Sequence, residues 1–117
     1  MRHLIIINDA PYGTEKAYNG FRLAMSIQRE LKGDEVRVFL MADAVGCSLP
    51  DQRTPDGHYN IERMVKAVVA KGGEVRACGT CAKARGMTDL PLIDGVVMGT
   101  MKDLMEWVAT SERVVSF

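Results

Sequence analysis

The chain has 117 residues, which fits one domain spanning positions 1–117, and 47% of its residues are hydrophobic. Lys and Arg total 15 and Asp and Glu total 15, so the formal net charge is zero. The hydrophobic fraction excludes a disordered polyelectrolyte, the zero charge argues against nucleic-acid binding, and three cysteines are too few for a disulfide-built secreted scaffold.

The hydrophobic run near the start of the chain is short. Leu4–Ile7 is followed at once by polar Asn8 and Asp9. A signal peptide needs a longer hydrophobic core, and a membrane-spanning helix needs about 20 hydrophobic residues. We therefore expect a cytoplasmic protein with reduced thiols and no membrane partner.

The first predicted unit is a strand, a loop and a helix. Leu4–Ile7 is rich in β-branched residues, as is typical of a strand that is buried on both faces. The loop Asn8–Gly13 follows, and Thr14 is predicted to cap the helix, with Glu15 in its first turn. The hydrophobic residues of this helix recur at helical spacing: Ala17, Phe21, Ala24, Ile27 and Leu31.

A second strand, Val36–Met41, leads into a polar part of the chain. Asp43 is predicted to cap a short helical turn that extends to Cys47. Ser48–His58 is the most polar stretch and contains two prolines and a glycine, so it is interpreted as a surface loop or lid.

The middle of the chain predicts a helix, a strand and a cysteine motif. Asn60 is expected to cap a helix whose hydrophobic face recurs at i, i+3, i+4, i+7 and i+8: Ile61, Met64, Val65, Val68 and Val69. The third strand, Glu74–Ala77, runs directly into Cys78-Gly79-Thr80-Cys81. A short helix is predicted over Thr80–Arg85.

The last part of the chain repeats the alternation. Val96–Met98 is the fourth predicted strand, Thr100 with Asp103 resembles a capping box, and Arg113–Phe117 is the final strand. Parallel strands need crossover helices, so this pattern predicts an α/β fold, with three α/β/α layers around a mostly parallel five-stranded sheet.

Ligands of such sheets bind at the carboxyl ends of the strands. Three loops follow the first three predicted strands: Asn8–Gly13, Ala42–Cys47 and Cys78–Cys81. All three cysteines lie in two of these loops. This coincidence is the strongest functional signal in the sequence.

The CxxC motif allows more than one interpretation. Backbone N–H groups at a helix start stabilise a thiolate, and Arg76, Lys83 and Arg85 add positive charge nearby, which favours a reactive thiol. The same spacing allows a reversible disulfide of an oxidoreductase. Cysteines are also common as small buried hydrophobic residues, so a structural role for Cys78 and Cys81 stays open.

Other chemistries are poorly supported. A zinc site lacks a second pair of ligands, since Cys47, His3 and His58 are the further Cys and His candidates. The loop after the first strand lacks the glycines of a dinucleotide site or a P-loop. Asp9 and Asp43 favour turn and cap roles. We expect no metal and no cofactor.

Five segments together resemble the DsrE/DsrF-like family, and most closely its small YchN-like branch. They occur in the same order and with similar spacing over nearly the whole chain: Asn8–Gly13, Phe39–Val45, Tyr59–Ile61, Cys78–Cys81 and Leu90–Val96. The resemblance implies a three-layer α/β/α domain that forms a homo-oligomer, a trimer or a hexamer, with sites near subunit contacts. It also implies sulfur chemistry, since members of the family hold a persulfide on a cysteine in sulfur oxidation or in sulfur relay for tRNA thiolation.

Carried over by position, that cysteine corresponds to Cys78, and Cys81 matches a second cysteine of the YchN-like branch. Cys47 has no counterpart in the family pattern. We therefore predict that Cys78 accepts sulfur from a donor persulfide and that Cys81 resolves it. We also predict that backbone N–H groups near Gly79 and Thr80 stabilise the anion. The remaining predicted site residues are Asn8 and Tyr12, which would line the pocket, and Asp43, which would orient polar groups.

The partners expected for this role are sulfur-donor and sulfur-acceptor proteins. The main alternative is a non-enzymatic, homo-oligomeric assembly or regulatory module whose cysteines are structural. The third interpretation is a thiol–disulfide oxidoreductase that uses the CxxC motif.

Overall fold

The computed structural model describes residues 1–55 and 58–117. Strands and helices alternate along the described residues, which confirms the predicted α/β class. In chain order the elements are β1 Arg2–Ile7, α1 Lys16–Glu30, β2 Glu35–Leu40, a 3₁₀ helix Ala42–Ser48, α2 Ile61–Ala70, β3 Glu74–Cys78, α3 Gly79–Ala84, β4 Val96–Gly99, α4 Met101–Thr110 and β5 Arg113–Ser116.

The strands form one five-stranded sheet in the order β4-β3-β2-β1-β5. Every neighbouring pair is parallel, so the sheet is entirely parallel. From β1 to β4 the chain steps in one direction across the sheet, and the last connection returns from one edge to the other. Right-handed crossovers therefore place α1 and α2 on one face and α4 on the other, which are the three predicted layers.

The face that carries α1 and α2, here called the closed face, is covered except at the edge strand β5, where Val115 is 42% exposed. Gly20 of α1 lies so near the sheet that a Cβ on it would come within 2.8 Å of the Ile7 side chain. Helix α2 presents Ile61, Val65 and Val68, each at most 1% exposed. Gly20 therefore lets α1 approach the sheet closely. The buried side chains of α2 pack against the same face of the strands.

The opposite face, here called the α4 face, is covered only in part. Phe39 meets Trp107 edge to face, with ring centroids 6.0 Å apart, and the Arg76 guanidinium lies 4.5 Å from the Trp107 ring centroid. Several hydrophobic side chains of α4 and of the two edge strands remain 45–62% exposed: Val97, Met101, Met105, Val108 and Val114. The chain thus leaves a hydrophobic surface around α4.

Two of the four predicted helix caps are confirmed. Asn60 Oδ1 accepts a hydrogen bond from Arg63 N at 3.1 Å. At the start of α4, Thr100 Oγ1 accepts from Asp103 N at 3.1 Å while Asp103 Oδ2 accepts from Thr100 N at 2.8 Å, which completes the capping box.

The other two caps are wrong. Glu15 occupies the position before α1 and makes no side-chain cap bond, while Thr14 Oγ1 accepts weakly from Lys16 N and donates to Asp9. The 3₁₀ helix follows extended Met41, also without a side-chain cap. Asp43 lies within that helix and not before it, and its carboxylate accepts a hydrogen bond from Arg85.

The predicted lid Ser48–His58 is only partly testable. Ser48 is buried and ends the 3₁₀ helix, so it does not belong to a surface loop. Residues 56–57 of the lid lie outside the described residues. Within residues 1–55 and 58–117, no helix combines the length and the hydrophobicity needed to cross a membrane.

Candidate thiol site

Cys78 joins the sheet to helix α3. It is the last residue of β3 and also the residue that caps α3, where its Sγ accepts a hydrogen bond from Cys81 N at 3.4 Å. Its side chain is 6% exposed. A strand that turns directly into a helix leaves no loop between them, so the sulfur is held at the carboxyl edge of the sheet, where ligands of parallel sheets bind.

Cys81 lies one turn further on and is partly exposed. Its Sγ accepts a hydrogen bond from Ala42 N at 3.3 Å. Ala42 has φ +50°, a left-handed conformation that costs a residue with a side chain about 1 kcal/mol or more. The unusual backbone just after β2 therefore aims an N–H group at the Cys81 sulfur.

Cys78 and Cys81 lie one helical turn apart, and this neighbour affects Cys78. Burial, together with the contact to Cys81, raises the pKa of the Cys78 thiol above its ordinary value. The N–H groups of Cys81 and Thr80 act in the opposite direction but are outweighed. The predicted stabilisation of a Cys78 thiolate by the helix start is thus present, but the net direction of the pKa shift is opposite to the prediction.

Asp43 and Arg85 form an ion pair beside the cysteines. Arg85 Nε and Nη2 lie 2.9 and 2.8 Å from Asp43 Oδ1, and Arg85 Nη1 donates to the Cys81 carbonyl oxygen at 3.0 Å. The predicted role of Asp43 in orienting a polar group therefore has a structural counterpart, since its carboxylate orients the Arg85 guanidinium.

The positive charge predicted around the motif is largely paired. Arg85 is held by Asp43, and Arg76 lies 3.3 Å from Asp103 across the α4 face. Lys83 is exposed on α3. These carboxylates cancel much of the field that would otherwise favour a thiolate.

Gly79 and Thr80 form the first turn of α3, which begins one residue before the predicted start at Thr80. Gly79 lies against the neighbouring strand, where a Cβ would be 3.4 Å from the Gly99 carbonyl oxygen. Thr80 has an exposed side chain, while its N–H is directed to Cys78. The structure thus brings together Cys78, Gly79, Thr80, Cys81 and, through Arg85, Asp43.

Two predicted site residues lie elsewhere. Asn8 bonds to the Phe117 carbonyl oxygen beside β5, through both its backbone N and its Nδ2. It follows β1, which is separated from β3 by one strand, so it lies about 10 Å along the sheet edge from Cys78. Tyr12 turns toward α2, where its hydroxyl accepts a hydrogen bond from Ile61 N at 3.1 Å. Asn8 and Tyr12 thus bond to groups other than the cysteines, and their place in the cysteine pocket stays a prediction.

Tyr12 instead lines a separate cleft of about 540 Å³. Its ring stacks on Tyr59 with centroids 5.7 Å apart, and Arg53 and His58 form another part of the wall. His3 lies at the opposite end of the sheet, 2.8 Å from Asp34, so neither histidine approaches the cysteines.

Cys47 is isolated from this chemistry. It is 1% exposed within the 3₁₀ helix, and burial raises the pKa of its thiol to about 12. A thiol with that pKa is unreactive at neutral pH. Within the described parts of the chain, no cluster of three His, Cys, Asp or Glu side chains has the arrangement of a metal site.

Sequence reasoning missed two features of the site. Arg85 was expected only as a nearby charge, and its pairing with Asp43 joins residues 42 positions apart. Ala42 has no sequence signal at all, because alanine does not indicate a left-handed backbone. Both features depend on how the 3₁₀ helix packs against α3.

Comparison with known proteins identifies relatives over the whole chain. The DsrE/DsrF-like family matches residues 1–117. Protein YchN of Escherichia coli K12 is 40% identical over 114 residues, which are 97% of each chain, and an uncharacterised protein of Methanocaldococcus jannaschii is 38% identical over the full length of both chains. The crystal structure of Escherichia coli YchN superimposes over 100% of both chains with a TM-score of 0.93 and 39% identity.

Proposed function

Because the chain belongs to the DsrE/DsrF-like family, which is associated with sulfur relay, we propose that it carries sulfane sulfur as a persulfide on Cys78. The observation that carries this proposal is the pair of free thiols at the carboxyl edge of the sheet, where each sulfur accepts a hydrogen bond from a backbone N–H group. Burial raises the pKa of Cys47, His3 is bonded to Asp34 at the other end of the sheet, and His58 lines the cleft beside Tyr12, so Cys78 and Cys81 are the residues assigned to the chemistry.

The proposed reaction transfers one sulfur atom between thiols. A donor persulfide R–S–SH reacts with the Cys78 thiol, a bond forms between Cys78 Sγ and the outer sulfur, and the donor S–S bond breaks. The donor leaves as R–SH with the proton that Cys78 gives up, so the products are Cys78–S–SH and R–SH. The reverse step delivers the sulfur to an acceptor thiol.

The surroundings of Cys78 suit a carrier. Its burial shields a persulfide from water and from oxidants, while the N–H groups of Thr80 and Cys81 stabilise the negative charge of the terminal sulfur. Donor and acceptor proteins of the cytoplasm, where thiols stay reduced, are the partners proposed for this role.

Mass spectrometry of the loaded protein tests the proposal. After incubation with inorganic polysulfide, the wild-type chain should gain about 32 Da per bound sulfur, assigned to Cys78 by fragmentation of the peptide that holds both Cys78 and Cys81. Cys78→Ser should lose this final adduct, and Cys47→Ser, which removes the isolated thiol, should keep it. A folded wild-type protein with no sulfur on Cys78 would refute the carrier role.

A thiol–disulfide oxidoreductase is the second candidate, because the two free thiols lie one helical turn apart in a CxxC motif. This role predicts that oxidised glutathione, without any sulfur donor, converts the pair to a reversible Cys78–Cys81 disulfide with a defined potential. A pair that loads sulfur and resists this oxidation would favour the carrier.

We also propose that the chain forms a homo-oligomer, a trimer or a hexamer, through the α4 face. Met101 and Met105 are 62% and 54% exposed there, and zero net charge does not oppose association. Light scattering should give a multiple of the chain mass for the wild type and a smaller species for Met105→Glu. Leu31→Glu, a matched change at a 47% exposed position on the end of α1, should leave the assembly unchanged. A monomeric wild type would refute this proposal.

A further inference from the structure

The two thiols of the motif differ in how an external molecule can reach them. We propose that Cys81 is the thiol that takes sulfane sulfur from the donor and that it then passes the sulfur to Cys78. This inference rests on the proposed carrier function and assigns Cys81 a catalytic step of its own, where the sequence suggested only a resolving role.

Accessibility is the first argument. The Cys78 side chain is 6% exposed, and its sulfur is turned toward the first turn of its own helix, where it accepts the Cys81 N–H. Cys81 is partly exposed. Transfer requires direct contact between the attacking sulfur and the outer sulfur of the donor. A donor that approaches from solvent therefore meets Cys81 before Cys78.

The backbone around Cys81 supports the same order. Ala42 holds a left-handed conformation, φ +50°, and its N–H donates to Cys81 Sγ at 3.3 Å. This hydrogen bond fixes the position of the Cys81 sulfur. A strained backbone persists only where the surrounding structure enforces it. Here the left-handed conformation of Ala42 directs its N–H group at the sulfur of the partly exposed Cys81.

The Arg85 guanidinium adds a positively charged group to this entrance. It donates to the Cys81 carbonyl oxygen at 3.0 Å, and its contact with Asp43 holds it in place. The Arg85 side chain is 37% exposed, and because Asp43 balances its charge, its contribution is to hold the backbone of Cys81 in place at this entrance.

The second step transfers the sulfur inward. The Cys78 sulfur attacks the outer sulfur of Cys81–S–SH, the bond between that atom and Cys81 Sγ breaks, and Cys81 leaves as a thiolate that takes up the proton from Cys78. The products are Cys78–S–SH and Cys81–SH, with no net oxidation. Cys78 Sγ lies 3.4 Å from Cys81 N, so the two cysteines are neighbours across one helical turn, which supplies the proximity that the transfer requires.

A time course of loading tests the order of the two cysteines. The full chain carrying Cys47→Ser, which removes the isolated thiol, is mixed with inorganic polysulfide, quenched with iodoacetamide and mapped by mass spectrometry. The adduct should appear first on Cys81 and then on Cys78 as the Cys81 signal falls. In the same background, Cys81→Ser should slow the loading of Cys78 by about tenfold or more, because the exposed nucleophile is gone. Cys78→Ser should load Cys81 at the parental rate and retain the sulfur there.

The outcomes separate this inference from the proposed function. If Cys78 loads at the parental rate in the Cys81→Ser variant, or first in the time course, Cys81 is not the entry thiol but the carrier function stands. If neither cysteine accepts sulfur, both fail. Since Cys81→Ser could alter the fold of α3, a measurement without that substitution is decisive. Alkylation of the unloaded wild type should modify Cys81 about tenfold faster than Cys78, and the reverse order would overturn the inference.

Discussion

On the closed face of the sheet, Phe21, Val65 and Val68 are fully buried, whereas on the α4 face Met101 and Met105 are more than half exposed. The two faces belong to the same strands, so the difference comes from the helices. Two long crossovers supply the closed face with side chains from α1 and α2. A single helix of ten residues covers the other face.

The two faces of the sheet differ in what depends on them. The closed face also carries the 3₁₀ helix, which packs against α2, α3 and β3, and the thiol site depends on that packing. The α4 face contributes less to the fold and presents hydrophobic side chains to its surroundings. Stability and thiol geometry therefore depend on one face, while association is proposed for the other.

The largest effect should come from the closed face. Phe21→Ala removes a completely buried ring, so we expect a loss of about 3–5 kcal/mol in the free energy of unfolding. Met105→Ala on the α4 face should change the stability of the isolated chain by no more than about 0.5 kcal/mol. Urea unfolding at low protein concentration measures both. Equal losses at the two positions would contradict the contrast between the faces.

Cys47 makes the closed face sensitive to alkaline pH. Burial raises the pKa of its thiol from 9.0 to about 12, so the folded state retains a proton that the unfolded chain loses. The contribution of the Cys47 thiol to the free energy of unfolding is fully present below pH 9. It should fall as the pH rises from there toward 12, by about 1.4 kcal/mol per pH unit.

The control for this prediction is Cys47→Ala. The variant should show a shallower decline of the unfolding free energy between pH 9 and 10.5, about 1.4 kcal/mol per unit less steep than in the wild type. Cys78, whose pKa is also raised by burial, lowers the free energy of unfolding at alkaline pH in both proteins, so its effect cancels in the comparison. Identical slopes would show that Cys47 is not the titrating group.

The α4 face should respond more weakly, through its helix cap. Thr100→Ala removes the hydroxyl that accepts from Asp103 N and should lower the free energy of unfolding by about 1 kcal/mol. Thr100→Ser keeps the hydroxyl and should behave like the wild type. If the alanine and serine variants unfold at the same denaturant concentration, the capping box does not stabilise α4.

The sequence predicted the elements better than their arrangement. Asn60 and Thr100 were correctly assigned as caps because each bonds to a backbone N–H three residues away. Asp43 was not, since its partner Arg85 is far along the chain. The position of β5 beside β1 also had no local signal, because a Val-Val pair suits either edge of a sheet.

In the candidate site, too, the sequence predicted local contacts better than contacts between distant parts of the chain. Cys78 and Cys81 are brought together by their spacing and by the turn from β3 into α3, so sequence alone placed them. The bonds of Asn8 and Tyr12 had no local signal, because the direction in which the loop after β1 turns depends on Phe117 and on α2. The pKa direction of Cys78 failed for a related reason, since helix N–H groups are local while burial is a property of the whole fold.

The pairing of the first strand with the last has a consequence for how the molecule folds. His3 lies opposite Arg113 and Ile6 opposite Ser116, so this part of the sheet forms only when nearly the whole chain is available. Parallel sheets with such distant contacts fold slowly. During synthesis, the α4 side of β1 stays uncovered until the C-terminal helix and strand leave the ribosome. The nascent chain is therefore expected to be prone to aggregation while β1 is made and residues 101–116 are not yet available.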